Sequence, residues 1–185
     1  MSDHTTTPYG PVANRVLTLA ASIQLLVCDV DGVLSDGRIY MGNDGEELKT
    51  FHTHDGFGIK ALLNAGIDVA VITGRNSQIV QRRMQALGVQ HIYQGQGNKL
   101  PAFEDLLDKL DLSAAQAAYI GDDVIDLPVM HSAALGIAVA NAHPLVLQQA
   151  DWVTRIRGGE GAVREVCDLI LQARGQLESA QGTSV

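Results

Sequence analysis

Short apolar segments alternate with helical patterns along most of the chain. Largely apolar runs bounded by polar or glycine residues predict strands over residues 23–28, 68–72, 91–93, 117–120, 135–139 and 152–154. Apolar positions at helical spacing predict helices over residues 12–21, 57–65, 77–87, 99–110, 125–132, 144–149 and 161–174. Because the strands are almost continuously apolar and alternate with helices, we expect an α/β fold, a doubly wound and mostly parallel sheet with helices on both faces.

One segment interrupts this alternation. Residues 36–51 contain two extended arms around Asn43-Asp44-Gly45, a turn sequence typical of a β-hairpin, and we call this segment the flap. The polar ends, residues 1–11 and 176–185, predict flexible tails around a core of residues 23–174. No internal repeat or change in composition marks a second unit, so we expect residues 1–185 to form one domain.

Composition narrows the classes of partner. Hydrophobic residues make up 46% of the chain, enough for a sizeable core. The formal net charge of −8 disfavours nucleic acid and anionic membrane surfaces as partners. The N-terminus lacks a signal-peptide pattern and no apolar run approaches the ~20 residues that span a bilayer, so we expect a cytoplasmic protein. Cys28 and Cys167 lie far apart without metal-ligand spacing, which argues against a zinc site.

The candidate chemistry lies just beyond the predicted strands. In a doubly wound sheet, ligands bind outside the carboxyl ends of the strands, so polar residues at these positions carry most of the functional information. The second of these strand ends is followed by a hydroxyl and a glycine, and a lysine opens the helix after the third. The polar residues at these strand ends are Asp29, Asp31, Thr73, Lys99, Asp122, Asp123 and Asp126.

So many carboxylates at one edge of a sheet would repel one another unless a cation were bound. An oxygen-rich ligand set without a neighbouring histidine or cysteine favours Mg²⁺. Together with Lys99, this ion would supply the positive charge that a phosphate group needs on an acidic protein. A cysteine phosphatase is excluded because Leu34 stands where the arginine of Cys-x₅-Arg would follow Cys28. The Gly56-Phe57-Gly58 motif follows polar residues and not an apolar strand, which argues against a dinucleotide site.

In their order and spacing, these motifs resemble the haloacid dehalogenase superfamily of aspartate-dependent phosphatases. Asp29-Val30-Asp31-Gly32 is similar to its first motif, Thr73 to its second and Lys99 to its third. Gly121-Asp122-Asp123-x-x-Asp126 is similar to its fourth.

The resemblance implies a role for each of these residues. Asp29 would be the nucleophile that forms an aspartyl-phosphate, and Asp31 would act as general acid and base. Thr73 and Lys99 would hold the phosphoryl oxygens. Mg²⁺ would be held by Asp29, by the main-chain carbonyl of Asp31 and by Asp122. Asp126 and Asp123 would position Lys99 or a metal-bound water.

Longer runs, over residues 29–37, 39–42, 45–49, 55–59, 93–100 and 155–166, resemble a capless, tetrameric branch of this superfamily. That branch hydrolyses a phosphorylated eight-carbon 2-keto sugar acid in lipopolysaccharide synthesis. The resemblance implies a small-molecule sugar phosphate as substrate. Too few residues separate the motifs to form a cap, so we expect a homo-oligomer in which the flap or the C-terminal tail covers a neighbour's active site.

The sugar acid also carries a carboxylate, which calls for a second cationic group. Gly74 and Arg75, beside Thr73, together with Lys60 and Arg157 are the candidates for binding the rest of the substrate. Three alternatives stay open at this point. They are a phosphatase for a nine-carbon 2-keto sugar acid phosphate, a phosphomutase, and a catalytically silent oligomerisation module.

Overall fold

The structure, a computed structural model, describes residues 3–182. Its strands are β1 His4–Thr7, β2 Gly10–Ala13, β3 Leu25–Cys28, β4 Tyr40–Met41, β5 Glu47–Leu48, β6 Asp68–Ile72, β7 His91–Tyr93, β8 Ala117–Gly121, β9 Leu135–Ala138 and β10 Trp152–Val153. Its helices are α1 Asn14–Ser22, α2 Thr53–Asn64, α3 Gln78–Leu87, α4 Leu100–Leu110, α5 Leu127–Ser132, α6 Pro144–Gln149 and α7 Ala162–Ala173. Two short 3-10 turns, Ala114–Gln116 and Val124–Asp126, complete the elements.

Six strands form one parallel sheet in the order β10-β9-β8-β3-β6-β7. The central strand β3 lies between β6 and β8, and Cys28 at its end is opposite Val71 and Ile120. The three central strands therefore finish at nearly the same level, and the residues that follow them meet at one edge of the sheet. This arrangement confirms the predicted doubly wound, mostly parallel α/β fold.

The helices cover the two faces of the sheet. From β3 the chain moves outward through β6 to β7, then returns past β3 to β8, β9 and β10. Because such crossovers are right-handed, this reversal places the connecting helices on opposite faces. Helix α2 packs against α3 and α7, and α1 also packs against α7, whereas α4 contacts α5. The buried side chains of the central strands form the core between the two groups of helices.

The flap is confirmed as an antiparallel hairpin. Tyr40 pairs with Leu48 and Met41 with Glu47, so each arm contributes only two residues. After the flap, α2 begins at Thr53, four residues before the predicted start. His52 caps it by accepting a hydrogen bond at Nδ1 from the backbone N–H of His54. Between the flap and β6, the described chain holds α2 and no inserted cap domain.

Residues 4–11 differ from the flexible tail predicted for residues 1–11, of which residues 1 and 2 lie outside the described part of the chain. Strands β1 and β2 form an antiparallel hairpin there. The Tyr9 hydroxyl donates a 2.7 Å hydrogen bond to Oδ2 of Asp168 on α7, which ties the hairpin to the body of the protein. The hairpin is held by backbone pairing and by this long-range contact. A polar composition reveals neither of them. The flexibility of residues 176–185 stays a prediction.

Among the described residues, no helix is long and apolar enough to cross a membrane.

A glycine-rich loop after β10 packs against the loop that follows β3. The Gly159 N–H donates to the Val33 carbonyl at 2.8 Å, and the Gly158 N–H donates to Oδ1 of Asn141, also at 2.8 Å. A Cβ atom on Gly158 would lie only 1.7 Å from the carbonyl oxygen of Gly32. The buried Glu165 carboxylate accepts hydrogen bonds from the backbone N–H groups that begin this loop. The loop therefore supports the backbone next to Asp31 from outside the site.

We expect Gly158→Ala to lower the free energy of unfolding by at least about 2 kcal/mol, because the clash is with backbone that cannot move without displacing the strand end. Urea unfolding followed by circular dichroism measures this. Gly97→Ala is the matched control, since no atom lies within 4 Å of its Cβ position. Equal stability of the two variants would show that the loop contact does not constrain the backbone beside Asp31.

Candidate active site

Four of the predicted site residues lie together at the carboxyl edge of the sheet. Asp29 follows β3, Thr73 follows β6 and Asp122 follows β8, while Lys99 directly precedes α4. The Asp29 N–H donates to the Ile120 carbonyl at 3.0 Å and the Thr73 N–H to the Tyr93 carbonyl at 2.9 Å. These bonds extend the sheet pairing beyond the assigned strands and hold both residues at its edge.

A buried ion cluster forms the centre of the site. Lys99 Nζ lies 2.8 Å from Asp29 Oδ1 and 2.7 Å from Asp126 Oδ1, and the lysine side chain is almost fully buried. Burial would lower the pKa of Lys99, but the two carboxylates outweigh it and raise this pKa above its usual value. The lysine is thus a fixed cation beside the proposed nucleophile.

Asp126 has a supporting position in the structure. Its Oδ1 also accepts a 2.6 Å hydrogen bond from the hydroxyl of Tyr119 on β8. Its Oδ2 accepts the backbone N–H groups of Asp122 at 3.0 Å and Asp123 at 3.1 Å. Each oxygen therefore has two partners, and the carboxylate fixes both Lys99 and the turn after β8. The Asp123 side chain instead accepts from the Val124 N–H, which stabilises the same turn and leaves Lys99 untouched.

The structure brings together a set of oxygen atoms suited to a divalent cation. Asp29, Asp122 and Asp126 each offer a carboxylate oxygen within 4.8 Å of the others. Because the oxygens of Asp126 already have their partners, Asp29 and Asp122 are the carboxylates with capacity to bind a cation. Gly32 makes room beside them, since a Cβ at this position would lie 2.1 Å from Asp122 Oδ2. An all-oxygen set of this kind fits Mg²⁺.

The electrostatics of these carboxylates also favour the binding of a cation. Burial raises the pKa of Asp29 to about 6, against the lowering effect of the Lys99 ammonium. Burial, followed by the negative charges of Asp29, Asp126 and Asp123, raises the pKa of Asp122 to about 8. One ammonium therefore does not compensate the cluster, and a dication would favour the ionised form of both groups.

The flap contributes polar side chains that the sequence did not single out. Lys49 Nζ donates a hydrogen bond to Oδ1 of Asp31 and lies 3.5 Å from Oε1 of Glu47. The same Glu47 oxygen accepts a 2.9 Å hydrogen bond from Arg75, two residues after Thr73. A chain of alternating charges therefore runs from the first motif, across the flap, to the second motif.

The residues predicted to bind the sugar occupy different places. Gly74 and Arg75 continue the turn after Thr73, and Arg75 pairs with the flap through Glu47. Arg157 lies in the loop after β10, largely exposed, with its nearest acidic partner, Glu160, at 3.9 Å. Lys60 lines a groove with residues at the starts of β6 and β7, at the opposite edge of the sheet. The structure thus brings Gly74 and Arg75 to the site and leaves Lys60 away from it.

Lys49, Glu47 and Tyr119 are the site residues that the sequence analysis missed. A tyrosine in an otherwise apolar and buried strand is a signal that could have identified Tyr119, because a buried hydroxyl needs a partner. Lys49 and Glu47 stand in a charged stretch that also fits an exposed hairpin arm. Only the path of the flap shows that they face the site.

Comparisons with known proteins identify a family and several relatives. The family model of haloacid dehalogenase-like hydrolases matches residues 88–165. The chain is 58% identical over 179 residues to the 3-deoxy-D-manno-octulosonate 8-phosphate phosphatases of Salmonella typhi and Escherichia coli K12, covering 97% of this chain and 95% of each relative.

Solved structures of similar proteins share the fold over most of the chain. The crystal structure of the phosphatase of that name from Yersinia pestis superposes with a TM-score of 0.98 at 56% identity, covering all of both chains. The Moraxella catarrhalis phosphatase of the same name, solved in complex with magnesium ion, phosphate ion and KDO, has a TM-score of 0.88 at 44% identity. The match covers 90% of this chain and 95% of the Moraxella catarrhalis chain.

We expect Mg²⁺ to stabilise the protein more at high pH than at low pH. Asp29 and Asp122 have raised pKa values in the folded chain, so their contribution to stability without metal is present at low pH and is lost as pH rises through about 6 and about 8. Mg²⁺ binds the ionised carboxylates, so the rise in melting temperature on adding Mg²⁺ should be at least about 5 °C larger at pH ~8.5 than at pH ~5.5.

Differential scanning calorimetry with and without Mg²⁺ measures this difference. Asp122→Asn should remove most of the Mg²⁺-dependent rise at pH ~8.5, because it deletes one of the two available carboxylates. An equal rise at both pH values would contradict the assignment of these groups as metal ligands.

Proposed function

Because the chain belongs to the 3-deoxy-D-manno-octulosonate 8-phosphate phosphatase family of the haloacid dehalogenase superfamily, we propose that it hydrolyses this sugar phosphate to 3-deoxy-D-manno-octulosonate and phosphate. The chain is thus a phosphomonoesterase that serves the synthesis of a lipopolysaccharide precursor. The observation that carries this proposal is the buried Asp29–Lys99–Asp126 cluster beside Asp122, at the edge where a sheet of this type binds ligands. Identity over nearly the whole chain supports the substrate.

The reaction proceeds in two displacements at phosphorus. An Asp29 carboxylate oxygen attacks the phosphoryl group, the bond to the sugar oxygen breaks, and Asp31 donates its proton to that oxygen. Water then attacks the phosphorus of the aspartyl-phosphate, Asp31 takes a proton from this water, and the bond to Asp29 breaks to release phosphate. Lys99 and Thr73 hold the phosphoryl oxygens, and Asp126 and Tyr119 keep Lys99 in place.

Mg²⁺ is the cofactor of this enzyme. The residues that would hold it are Asp29, Asp122 and the main-chain carbonyl of Asp31, and the all-oxygen donor set of the two carboxylates supports this choice. When bound, the ion neutralises negative charge on the phosphoryl oxygens. The positive charge of the ion is needed because the chain has a net charge of −8 and several acids lie in the site.

Arg75 is the best-placed candidate for the carboxylate end of the substrate. Arg75 follows the Thr73–Gly74 turn in the chain, and its side chain is half exposed, so it can exchange its partner Glu47 for a ligand carboxylate. Arg157 lies on the loop that packs beside Gly32 and is a second candidate. Lys60 is not a candidate for binding this substrate, because its groove lies at the opposite edge of the sheet.

We expect Mg²⁺-dependent phosphate release from 3-deoxy-D-manno-octulosonate 8-phosphate with a kcat/KM at least about 10-fold above that for nine-carbon 2-keto sugar acid phosphates. A malachite green assay over this panel, with and without Mg²⁺, provides the measurement. Asp29→Asn should abolish turnover while keeping the fold, because it removes the nucleophile. A preference for a nine-carbon substrate would change the substrate assignment, and inactivity of the intact chain on every substrate would favour a silent oligomerisation module.

Exposed apolar side chains of the flap support an oligomeric assembly. Leu48 is 66% exposed on the outer face, and Met41, which pairs with Glu47 and so lies on the other face, is 71% exposed. A two-stranded hairpin is marginally stable by itself, and exposed apolar side chains on one favour burial against another molecule. We propose a homotetramer in the cytoplasm, with residues 1–185 forming one phosphatase domain whose flap or C-terminal tail covers a neighbour's site. Such a cover would provide the water exclusion that a capless site lacks.

We expect the double substitution Met41→Asp and Leu48→Asp to dissociate the assembly, because it places two charges in an apolar contact. Size-exclusion chromatography with light scattering measures the mass, and a parallel activity assay should show a fall in kcat/KM of at least about 10-fold. Leu145→Asp, which adds a charge at an exposed leucine outside the flap, is the control. An intact chain that is a fully active monomer would contradict the shared-site assembly.

A further inference from the structure

Lys49 occupies an unusual position for a residue of an exposed hairpin. It follows β5 directly, yet its side chain is only 2% exposed. A buried ammonium is costly unless it is paired, and Lys49 pairs with Asp31 and, at 3.5 Å, with Glu47. Its main partner is the residue to which the proposed reaction assigns both proton transfers. The flap therefore delivers a positive charge to the acid–base group of the site.

We propose that Lys49 is a positioning residue for proton transfer by Asp31, an inference that rests on the proposed phosphatase function. The ammonium donates to Oδ1 of Asp31, so Oδ2 is the oxygen left to exchange a proton with the substrate. This contact fixes the orientation of the carboxyl group. It also compensates the negative charge that remains on Asp31 once its proton has moved to the sugar oxygen.

The remaining contacts of the flap explain why Lys49 can hold this position. Glu47 is shared between Lys49 and Arg75, so the lysine is attached to the turn after Thr73 as well as to Asp31. The alternation of side chains along a strand puts Glu47 and Lys49 on one face and Leu48 on the other. Lys49 can therefore orient Asp31 only when the flap lies against the site. In this way the position of the flap is coupled to proton transfer.

The two halves of the reaction make this role measurable. With an alkyl leaving group such as a sugar, Asp31 must supply a proton as the phosphorus–oxygen bond breaks. With p-nitrophenyl phosphate, the phenolate departs without a proton. The phosphorylation step, which kcat/KM reports, then no longer depends on Asp31, whereas hydrolysis of the aspartyl-phosphate still requires it as base.

We expect Lys49→Met to lower kcat/KM for the sugar phosphate by about 100-fold, and that for p-nitrophenyl phosphate by less than about 3-fold. With the aryl substrate, kcat should fall and a burst of nitrophenol should appear, because dephosphorylation becomes slow. Lys49→Arg should keep kcat/KM for the sugar phosphate within about 10-fold of the original. Lys109→Met is the matched control, since this lysine is exposed on α4 and pairs with Asp105.

A double-mutant cycle with Asp31→Asn separates this role from a structural one. If Lys49 acts through Asp31, Lys49→Met should cost less than about 3-fold once Asp31 has been replaced. Equal losses on both substrates, or an undiminished effect in the Asp31→Asn background, would overturn the proposal. Should the octulosonate prove a poor substrate, the best alkyl phosphate of the panel serves in its place, so a wrong substrate is distinguished from a wrong role for Lys49. Circular dichroism of each variant confirms that the fold is retained.

Discussion

The site depends on one buried cation between two carboxylates. Lys99 is nearly inaccessible to solvent and touches both Asp29 and Asp126. In a medium of low effective dielectric constant, neither the lysine nor its partners could stay charged alone. The parallel sheet resolves this constraint, because it brings Asp29, Lys99 and Asp126, which follow β3, β7 and β8, to the same edge. Placement of the proposed nucleophile is therefore a consequence of topology and charge pairing together.

The acidic residues of the site differ in how many hydrogen-bond partners their carboxylate oxygens have. Asp126 accepts two hydrogen bonds at each oxygen, so it serves the structure of the turn and the position of Lys99. Asp122 is mainly surrounded by negative charge, and burial together with that charge raises its pKa to about 8. Judged by position alone, Asp122 and Asp126 would both belong to one metal site. The lone pairs of Asp126 are already occupied by hydrogen bonds, so it is a supporting carboxylate, whereas Asp122 can bind an ion.

The sequence predicts those parts of the molecule that have a periodic hydrophobic pattern or a recognisable motif. Continuous apolar strands predicted the sheet, and the polar residues just beyond them predicted Asp29, Thr73, Lys99 and Asp122 at its edge. Lys60 was assigned to the site because no local pattern shows at which edge of the sheet a helical residue lies. The hairpin of β1 and β2 was missed for a similar reason, since contacts with residues far along the chain hold it in place.

The proposed assembly and the proposed proton transfer both involve a single strand of the flap. Glu47 and Lys49 form the charged contacts of the site, while Leu48 between them is exposed on the other face. Because neighbouring side chains on a strand face opposite ways, an apolar partner that buried Leu48 would press the charged face toward Asp31. In the proposed assembly, the position of the flap would depend both on the ion pairs within the site and on the burial of apolar surface outside it. In a phosphatase without a cap domain, the outer contact can complete the site while the inner contact orients the acid–base residue.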